Sequence, residues 1–184
     1  MDESYWYGYE DIDFNLRVHN AGYDTIFASA ALLFHHESAT RKTINRNNHK
    51  VFCKKWSKYL FKKLLQDKIE KNFFFTDEKL NILLVVDPDF SRRYSKCINN
   101  LIKYFVSNEY IVNISFNDYS KVNSQTDILI SFSQDFNIKN VHSRDNLVKI
   151  VVMEDIVDCI DYDIVLQDDL NLGSKIISKL YEFI

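Results

Sequence analysis

The most constraining feature of this 184-residue chain is a series of short, continuous apolar runs in its second half. Each run has the length of a strand and is rich in β-branched residues, which is typical of strands buried on both faces of a parallel sheet. Residues 91–107 and 172–184 carry apolar residues at helical spacing. Alternation of strand and helix predicts an α/β fold in which helices cross between parallel strands. The predicted strands are residues 80–86, 110–116, 127–132, 147–153 and 163–166.

Composition narrows the class of protein. The chain is 46% hydrophobic and 15% aromatic, which is enough apolar material for a buried core. Its net charge of −3 gives no sign of a nucleic-acid-binding surface. No apolar run approaches the roughly 18–20 residues that cross a bilayer, and no signal-peptide pattern opens the sequence. An odd number of widely spaced cysteines favours a reducing compartment over a disulfide framework or a metal knuckle: Cys53, Cys97 and Cys159. These features predict a soluble, cytoplasmic protein.

The first 42 residues have a different character, aromatic and acidic and then apolar. Residues 10–20 are predicted to form a short helix that opens with two adjacent carboxylates, Glu10 and Asp11. Asp11 or the residue before it is expected to cap the helix, and Asn20-Ala21-Gly22 gives a stop signal.

The same segment is predicted to contain one ion pair and two extended strands. Asp13 and Arg17 are four residues apart, which predicts an ion pair worth roughly 0.3–0.5 kcal/mol if it is exposed. Residues 23–28 and 31–36 are predicted to be extended strands.

The paired carboxylates have two interpretations. A carboxylate at a helix start is favoured in its ionised form and can accept a proton from a hydroxyl nucleophile within reach. The alternative is that the pair only caps the helix. The aromatic residues before it can stack on a sugar ring or pack in a core, and the histidines at 35 and 36 can bind a divalent metal or lie at a polar surface.

A longer pattern joins these residues. An aromatic-Gly-aromatic-Glu-Asp-x-Asp string ends at Asp13, Ala21-Gly22-Tyr23 follows the predicted helix, and His35-His36-Glu37-Ser38-Ala39-Thr40-Arg41 comes next. Over about 42 residues this pattern resembles the C-terminal part of family 2 glycosyltransferases of the GT-A fold. The resemblance implies an inverting hexosyltransferase-type enzyme of bacterial polysaccharide biosynthesis. Such an enzyme transfers a sugar from a nucleotide-sugar donor to a saccharide or glycan acceptor.

The resemblance also implies roles for individual residues. Asp11 would be the catalytic base, and Glu10 its neighbour in the acceptor site. Acceptor binding would fall to Trp6, Tyr7 and Tyr9. A divalent cation, Mn²⁺ or Mg²⁺, would be held by His35 or His36, of which His35 is favoured.

The donor site of that family lies N-terminal to the matched segment and contains an Asp-x-Asp motif. No such motif precedes Glu10 in these 184 residues. Asp11-Ile12-Asp13 has the right letters, but a helix would direct its two carboxylates to different faces. Asp87-Pro88-Asp89 lies in the second half of the chain. Residues 1–184 alone are therefore expected to be a fragment without transferase activity.

Residues 77–184 resemble, more weakly, the N-terminal Rossmann-like half of GT-B glycosyltransferases, which follows a family 2 domain in some bacterial enzymes. No Gly-rich loop follows the first predicted strand, so a dinucleotide site is not expected. A receiver domain of signalling proteins is the rival, because Asp87 and Asp89 resemble its acidic pocket. Its third strand should end on an aspartate, whereas here Ser131-Phe132-Ser133 occupies that place.

Three segments are therefore predicted: residues 1–44 as the end of a GT-A domain, 45–76 as a basic amphipathic helical linker, and 77–184 as a Rossmann-like α/β half-domain. The linker is expected to pack Trp56, Leu60 and Leu64 inward. Its basic residues 50–71 could instead contact an acidic protein or the anionic inner face of a membrane. There are two alternatives to an enzyme. One is a non-catalytic binding or assembly module derived from a glycosyltransferase, and the other is a gene fragment without a role of its own.

Overall fold

The computed structural model describes residues 2–5, 8–31, 46–73, 75–132, 147–153, 162–167 and 171–184. The chain divides into two compact units, Met1–Ser57 and Lys58–Ile184. Helix α2 (Arg46–Glu70) contributes its first half to one unit and its second half to the other.

The second unit is built on a five-stranded parallel sheet in the order β2-β1-β3-β4-β5. Each strand lies within one residue of its predicted position, because a continuous apolar run can be buried only between two covered faces. The α/β class with a Rossmann-like parallel sheet is thus confirmed. The strands are β1 (Asn81–Val86), β2 (Ile111–Phe116), β3 (Ile128–Phe132), β4 (Val148–Met153) and β5 (Ile164–Gln167).

Helix α3 (Pro88–Ser107) connects β1 to β2, and helix α4 (Leu172–Phe183) follows β5. The sequence predicted that α3 begins at residue 91, but it begins three residues earlier. Asp87 is the N-cap and accepts the Asp89 N–H at 2.8 Å, and Pro88 occupies the first helical turn. Proline is well suited to that position because the amide it lacks has no partner there.

One face of the sheet carries the main core, where β1, β3 and β4 meet α2, α3 and α4. Phe105 and Leu101 from α3 are buried there, as are Ile176 and Leu180 from α4. A smaller cluster on the other face includes Leu83, Val85, Leu129 and Leu147.

The second half of α2 joins the main core through Phe61, Leu65 and Ile69. Leu60 and Leu64, predicted to face inward, are only half-buried, so the predicted stripe was wrong by one residue. Lys68, three residues beyond Leu65, lies on the same buried side and pairs with Asp127. Trp56 is buried as predicted, within the first unit.

The first unit contains α1 (Glu10–Asn20), whose bounds match the prediction. Residues 23–28, predicted as a strand, have no regular structure and are exposed throughout. An apolar run forms a strand only where a neighbouring strand and a core receive it, and neither contacts these residues among those described. Most of the predicted strand 31–36 lies outside the described residues. Among those that are described, no helix is long and apolar enough to cross a membrane.

Candidate functional site at the start of helix α1

The turn before α1 sets the position of the two predicted catalytic carboxylates. Gly8 and Tyr9 both have left-handed backbone conformations, with φ of 108° and 71°. Such a turn is easy for glycine and strained for tyrosine. The Gly8 N–H donates to the Glu10 carboxylate, and Asn48 of α2 donates to the Gly8 carbonyl at 3.0 Å. Asn48 is itself buried, so the turn is fixed from both sides.

Glu10 and Asp11 occupy the first turn of α1, where free amides favour negative charge. The prediction that Asp11 or its predecessor caps the helix through a side chain was wrong. The N-cap is Tyr9, and no side chain bonds at that position. The Asp11 carboxylate instead accepts the Ile12 N–H at 2.8 Å and lies exposed, whereas Glu10 is half-buried.

Asp13, two residues further on, is the buried centre of this unit. Its side chain has no solvent-accessible surface. Oδ1 accepts hydrogen bonds from Trp56 Nε1 at 2.8 Å and Tyr5 Oη at 3.3 Å, and Lys55 Nζ lies 2.7 Å away. Oδ2 accepts from Arg17 Nε at 2.9 Å. The predicted Asp13–Arg17 pair therefore exists, but its carboxylate is buried rather than exposed.

The electrostatics of the cluster favour the ionised carboxylate. Burial raises the pKa of Asp13, but hydrogen bonds from Lys55, Trp56 and Arg17 outweigh it and hold the pKa below its usual 3.8. Hydrogen bonding to Asp13 and Asp2 raises the pKa of Lys55. Lys55 Nζ lies 2.8 Å from Asp2 Oδ2. Two carboxylates and two cations thus balance within the cluster.

The aromatic residues around the turn divide between packing and the predicted acceptor site. Tyr5 is 7% exposed and bonded to Asp13, so it belongs to the core of this unit. The Tyr9 ring is half-buried against Phe52 and His49, with centroids 5.1 and 5.9 Å apart. Trp6 and Tyr7 lie outside the described residues.

The predicted metal ligands His35 and His36 also lie outside the described residues. Within the part of the chain that is described, no group of three or more His, Cys, Asp or Glu side chains is placed to hold a metal ion.

The second unit places polar groups at the carboxyl ends of its strands, where open parallel sheets bind ligands at a change of strand direction. That change lies between β1 and β3. Asp87 caps α3 and lies 3.4 Å from Asn117 Nδ2. Tyr119 Oη lies 3.1 Å from Ser131 Oγ, and burial raises the pKa of Tyr119 to about 12. Asp87 therefore pairs with Asn117, and Tyr119 pairs with Ser131. Strand β3 ends without an aspartate, whereas the third strand of a receiver domain should end on one.

A groove of about 480 Å³ lies between α3 and α4. Tyr104 and Lys103 line one side, and Gly173 and Ser174 line the other. None of the residues predicted from the sequence to be functional lines it.

Comparisons with known proteins give no match: no protein-family model fits the chain, and no curated protein or solved structure is significantly similar to it. Function is therefore inferred from the residues and the geometry described above.

Sequence reasoning missed Asn48, Lys55 and Trp56 as residues that position the candidate site. All three come from the first half of α2, some 40 residues along the chain from the groups they bind. Asp13 was recognised only as one half of a local pair with Arg17. A Trp beside a Lys on a basic helix is the one local hint of a buried acidic partner.

Proposed function

We propose that this chain contributes the acceptor side of an inverting, nucleotide-sugar-dependent glycosyltransferase, with Asp11 as the base. The observation that carries the proposal is that an exposed carboxylate lies on a helix whose position is fixed by a buried contact. Asp11 lies in the first turn of α1, and the same helix is bonded to α2 through the buried Asp13. Positioned bases need such rigid support, because proton transfer requires hydrogen-bond contact with the hydroxyl.

In the proposed step the Asp11 carboxylate accepts the proton of an acceptor hydroxyl. The hydroxyl oxygen then attacks the anomeric carbon of the donor sugar, and the nucleoside diphosphate leaves with inversion. Glu10 orients the acceptor, together with Trp6, Tyr7 and Tyr9. The divalent cation, Mn²⁺ or Mg²⁺, would be held by His35 or His36. In the proposal the donor half and its Asp-x-Asp motif come from sequence outside these 184 residues. The second unit corresponds to the N-terminal half of a GT-B domain.

The test begins with the coding region directly upstream of Met1. An in-frame segment with an Asp-x-Asp motif at a strand end supports the proposal, and a stop codon with a ribosome-binding site there contradicts it. In the extended protein, Asp11→Asn should lower kcat by about 10²–10⁴-fold, as expected for loss of a positioned base. Asp24→Asn removes the same charge from an exposed position outside α1 and should leave kcat unchanged. Equal rates for Asp11→Asn and Asp24→Asn would exclude Asp11 as the base.

A binding or assembly module is the second candidate, favoured by one observation. Ile26 and Phe27 are 89% and 90% exposed, which is unusual for large apolar side chains. A binding or assembly module would transfer no sugar even in the extended protein, so the same kinetic assay separates the two candidates.

A further inference from the structure

A cysteine and a histidine face each other on the first half of α2, outside the residues assigned above. Cys53 Sγ lies 3.5 Å from His49 Nε2 and 3.8 Å from Nδ1, which is hydrogen-bond distance for sulfur. The two residues are four apart in a regular helix, so the backbone itself holds them together.

The imidazole has a second contact, from a different element. The Tyr9 ring meets it edge-on at 5.9 Å with an interplanar angle of 65°, and Tyr9 is itself packed on Phe52. His49 is therefore placed between a thiol and an aromatic wall. A nucleophile within reach of a base that a third group orients is the arrangement by which proteins activate cysteine.

The pair is also open to solvent. His49 is exposed and Cys53 is half-buried, whereas Cys97 is buried in the core of the second unit. Lys50 and Lys54 flank Cys53 along the helix, and both are exposed. Their charges favour the approach of an anionic reagent.

We propose that Cys53 and His49 form a nucleophilic thiol site that reacts with anionic low-molecular-weight disulfides. His49 accepts the thiol proton while Sγ attacks one sulfur of the disulfide, whose S–S bond breaks. The imidazolium then loses its proton to the leaving thiolate or, where that thiolate is a weak base, to water. The products are a mixed disulfide on Cys53 and one free thiol, so the small disulfide is the only oxidant consumed. This reaction is independent of the proposed glycosyltransferase function.

The test uses 5,5′-dithiobis(2-nitrobenzoate), an anionic aromatic disulfide, on the whole chain between pH 6 and pH 10. Peptide mapping assigns each modification to one of the three cysteines, and Cys53 should react before the buried Cys97. At pH 6.5, His49→Gln should slow Cys53 on the order of tenfold, less than the gain from a base in an evolved active site. Near pH 10 the difference should vanish, because hydroxide in solution takes the proton of a thiol without help from an imidazole.

His19→Gln is the matched control, because His19 is an exposed histidine on α1 and its loss should leave the rate unchanged. Three results would overturn the proposal. Wild type and His49→Gln could react equally at pH 6.5. The variant could be slower by one constant factor at every pH, which would mean that His49 only governs access. Cys97, which is buried, could react before Cys53 in the native chain.

Discussion

Trp56 donates its indole N–H to Oδ1 of Asp13 at 2.8 Å, although the two residues lie 43 positions apart in the chain. Lys55 binds the same carboxylate, and Arg17 binds its other oxygen. Helix α1 is therefore held to the first half of α2 by one buried charge with several donors. Removing that charge should release the helix that carries Glu10 and Asp11.

Asp13→Asn should destabilise the first unit by about 2 kcal/mol. Losing one partner of a fully buried ion pair costs roughly 3–5 kcal/mol, and the cost is smaller here because Lys55 and Arg17 keep contact with water. Urea unfolding followed by Trp56 fluorescence measures the change, in a Trp6→Phe background that leaves one tryptophan. Asp24→Asn, at an exposed position, should shift the free energy of unfolding by less than about 0.5 kcal/mol. A similarly small shift for Asp13→Asn would contradict the anchoring role.

The same carboxylate should make the first unit sensitive to acid. Because the pKa of Asp13 is lower in the folded state than its usual 3.8, the unfolded chain binds the proton first as pH falls. The stabilisation is therefore complete above about pH 4 and is lost as pH falls through the lower folded pKa. Unfolding by urea at pH 5 and pH 3 should show a larger loss for wild type than for Asp13→Asn. The pKa of Asp2 is also lowered. The variant Asp2→Asn separates the contribution of Asp2 to the acid sensitivity from that of Asp13. Equal losses in wild type and Asp13→Asn would contradict the assignment.

The sheet and helix α1 could be predicted because their signals are local. Continuous apolar runs have few alternatives to a doubly covered strand, and the acidic start and Asn-Ala-Gly end of α1 are contained in eleven residues and their neighbours. The predicted strand over residues 23–28 failed because its apolar residues needed a neighbour that the sequence does not specify.

The burial of Asp13 could not be predicted for a related reason. Its local pattern with Arg17 is that of a surface ion pair, and surface pairs are far more common. Only the arrival of Tyr5, Lys55 and Trp56 makes a buried carboxylate tolerable, and two of these come from α2. Helix α2 was likewise predicted to bury Leu60 and Leu64, because the sheet against which Phe61 and Leu65 pack is formed by residues far along the chain. The pairing of Lys68 with Asp127 also joins residues 59 apart, so the local sequence does not show it.

That Lys68–Asp127 pair is a buried ion pair of the second unit. Lys68 Nζ lies 2.9 and 3.0 Å from the two oxygens of Asp127, which also accepts the Asn81 N–H. Burial is the largest influence on the pKa of Asp127 and raises it, although Asn81 and Lys68 oppose the change. Below its usual pKa of 3.8, Asp127 is protonated in both the folded and the unfolded chain. Its burial then no longer costs the desolvation of a charged carboxylate. As pH rises through the higher folded pKa, the folded state loses that stability.

Lys68→Met should therefore cost about 3 kcal/mol at pH 7, because Asp127 would remain buried without its cation. The further change Asp127→Asn should restore part of the loss, since an amide oxygen can still accept from Asn81. Hydrogen exchange of the β1 and β3 amides measures both effects. Lys71→Met is the control, because Lys71 and Glu109 form an exposed pair 3.4 Å apart. A double variant less stable than Lys68→Met would rule out the buried charge as the cause.

Gly173 of α4 lies against the side chain of Tyr104 of α3. A Cβ at Gly173 would lie 2.4 Å from Tyr104 Cδ1 and 2.6 Å from Cγ. Both atoms are close to the backbone end of the side chain, so movement of its far end cannot relieve the contact. Overpacking of this kind costs about 1–3 kcal/mol, which the higher helix propensity of alanine offsets by about 1 kcal/mol. Gly173→Ala should therefore lower the stability of the second unit by about 1 kcal/mol, measured by thermal unfolding at 222 nm.

A double-mutant cycle decides whether the contact itself is the cause. In a Tyr104→Ala background the added methyl group finds space, so Gly173→Ala should become neutral or stabilising. Ser178→Ala, at an exposed position of the same helix, should be neutral or slightly stabilising in both backgrounds. If Gly173→Ala destabilises equally with and without the Tyr104 ring, the close approach of α3 and α4 does not set the requirement for glycine. In that case the glycine would act through the backbone of α4 alone.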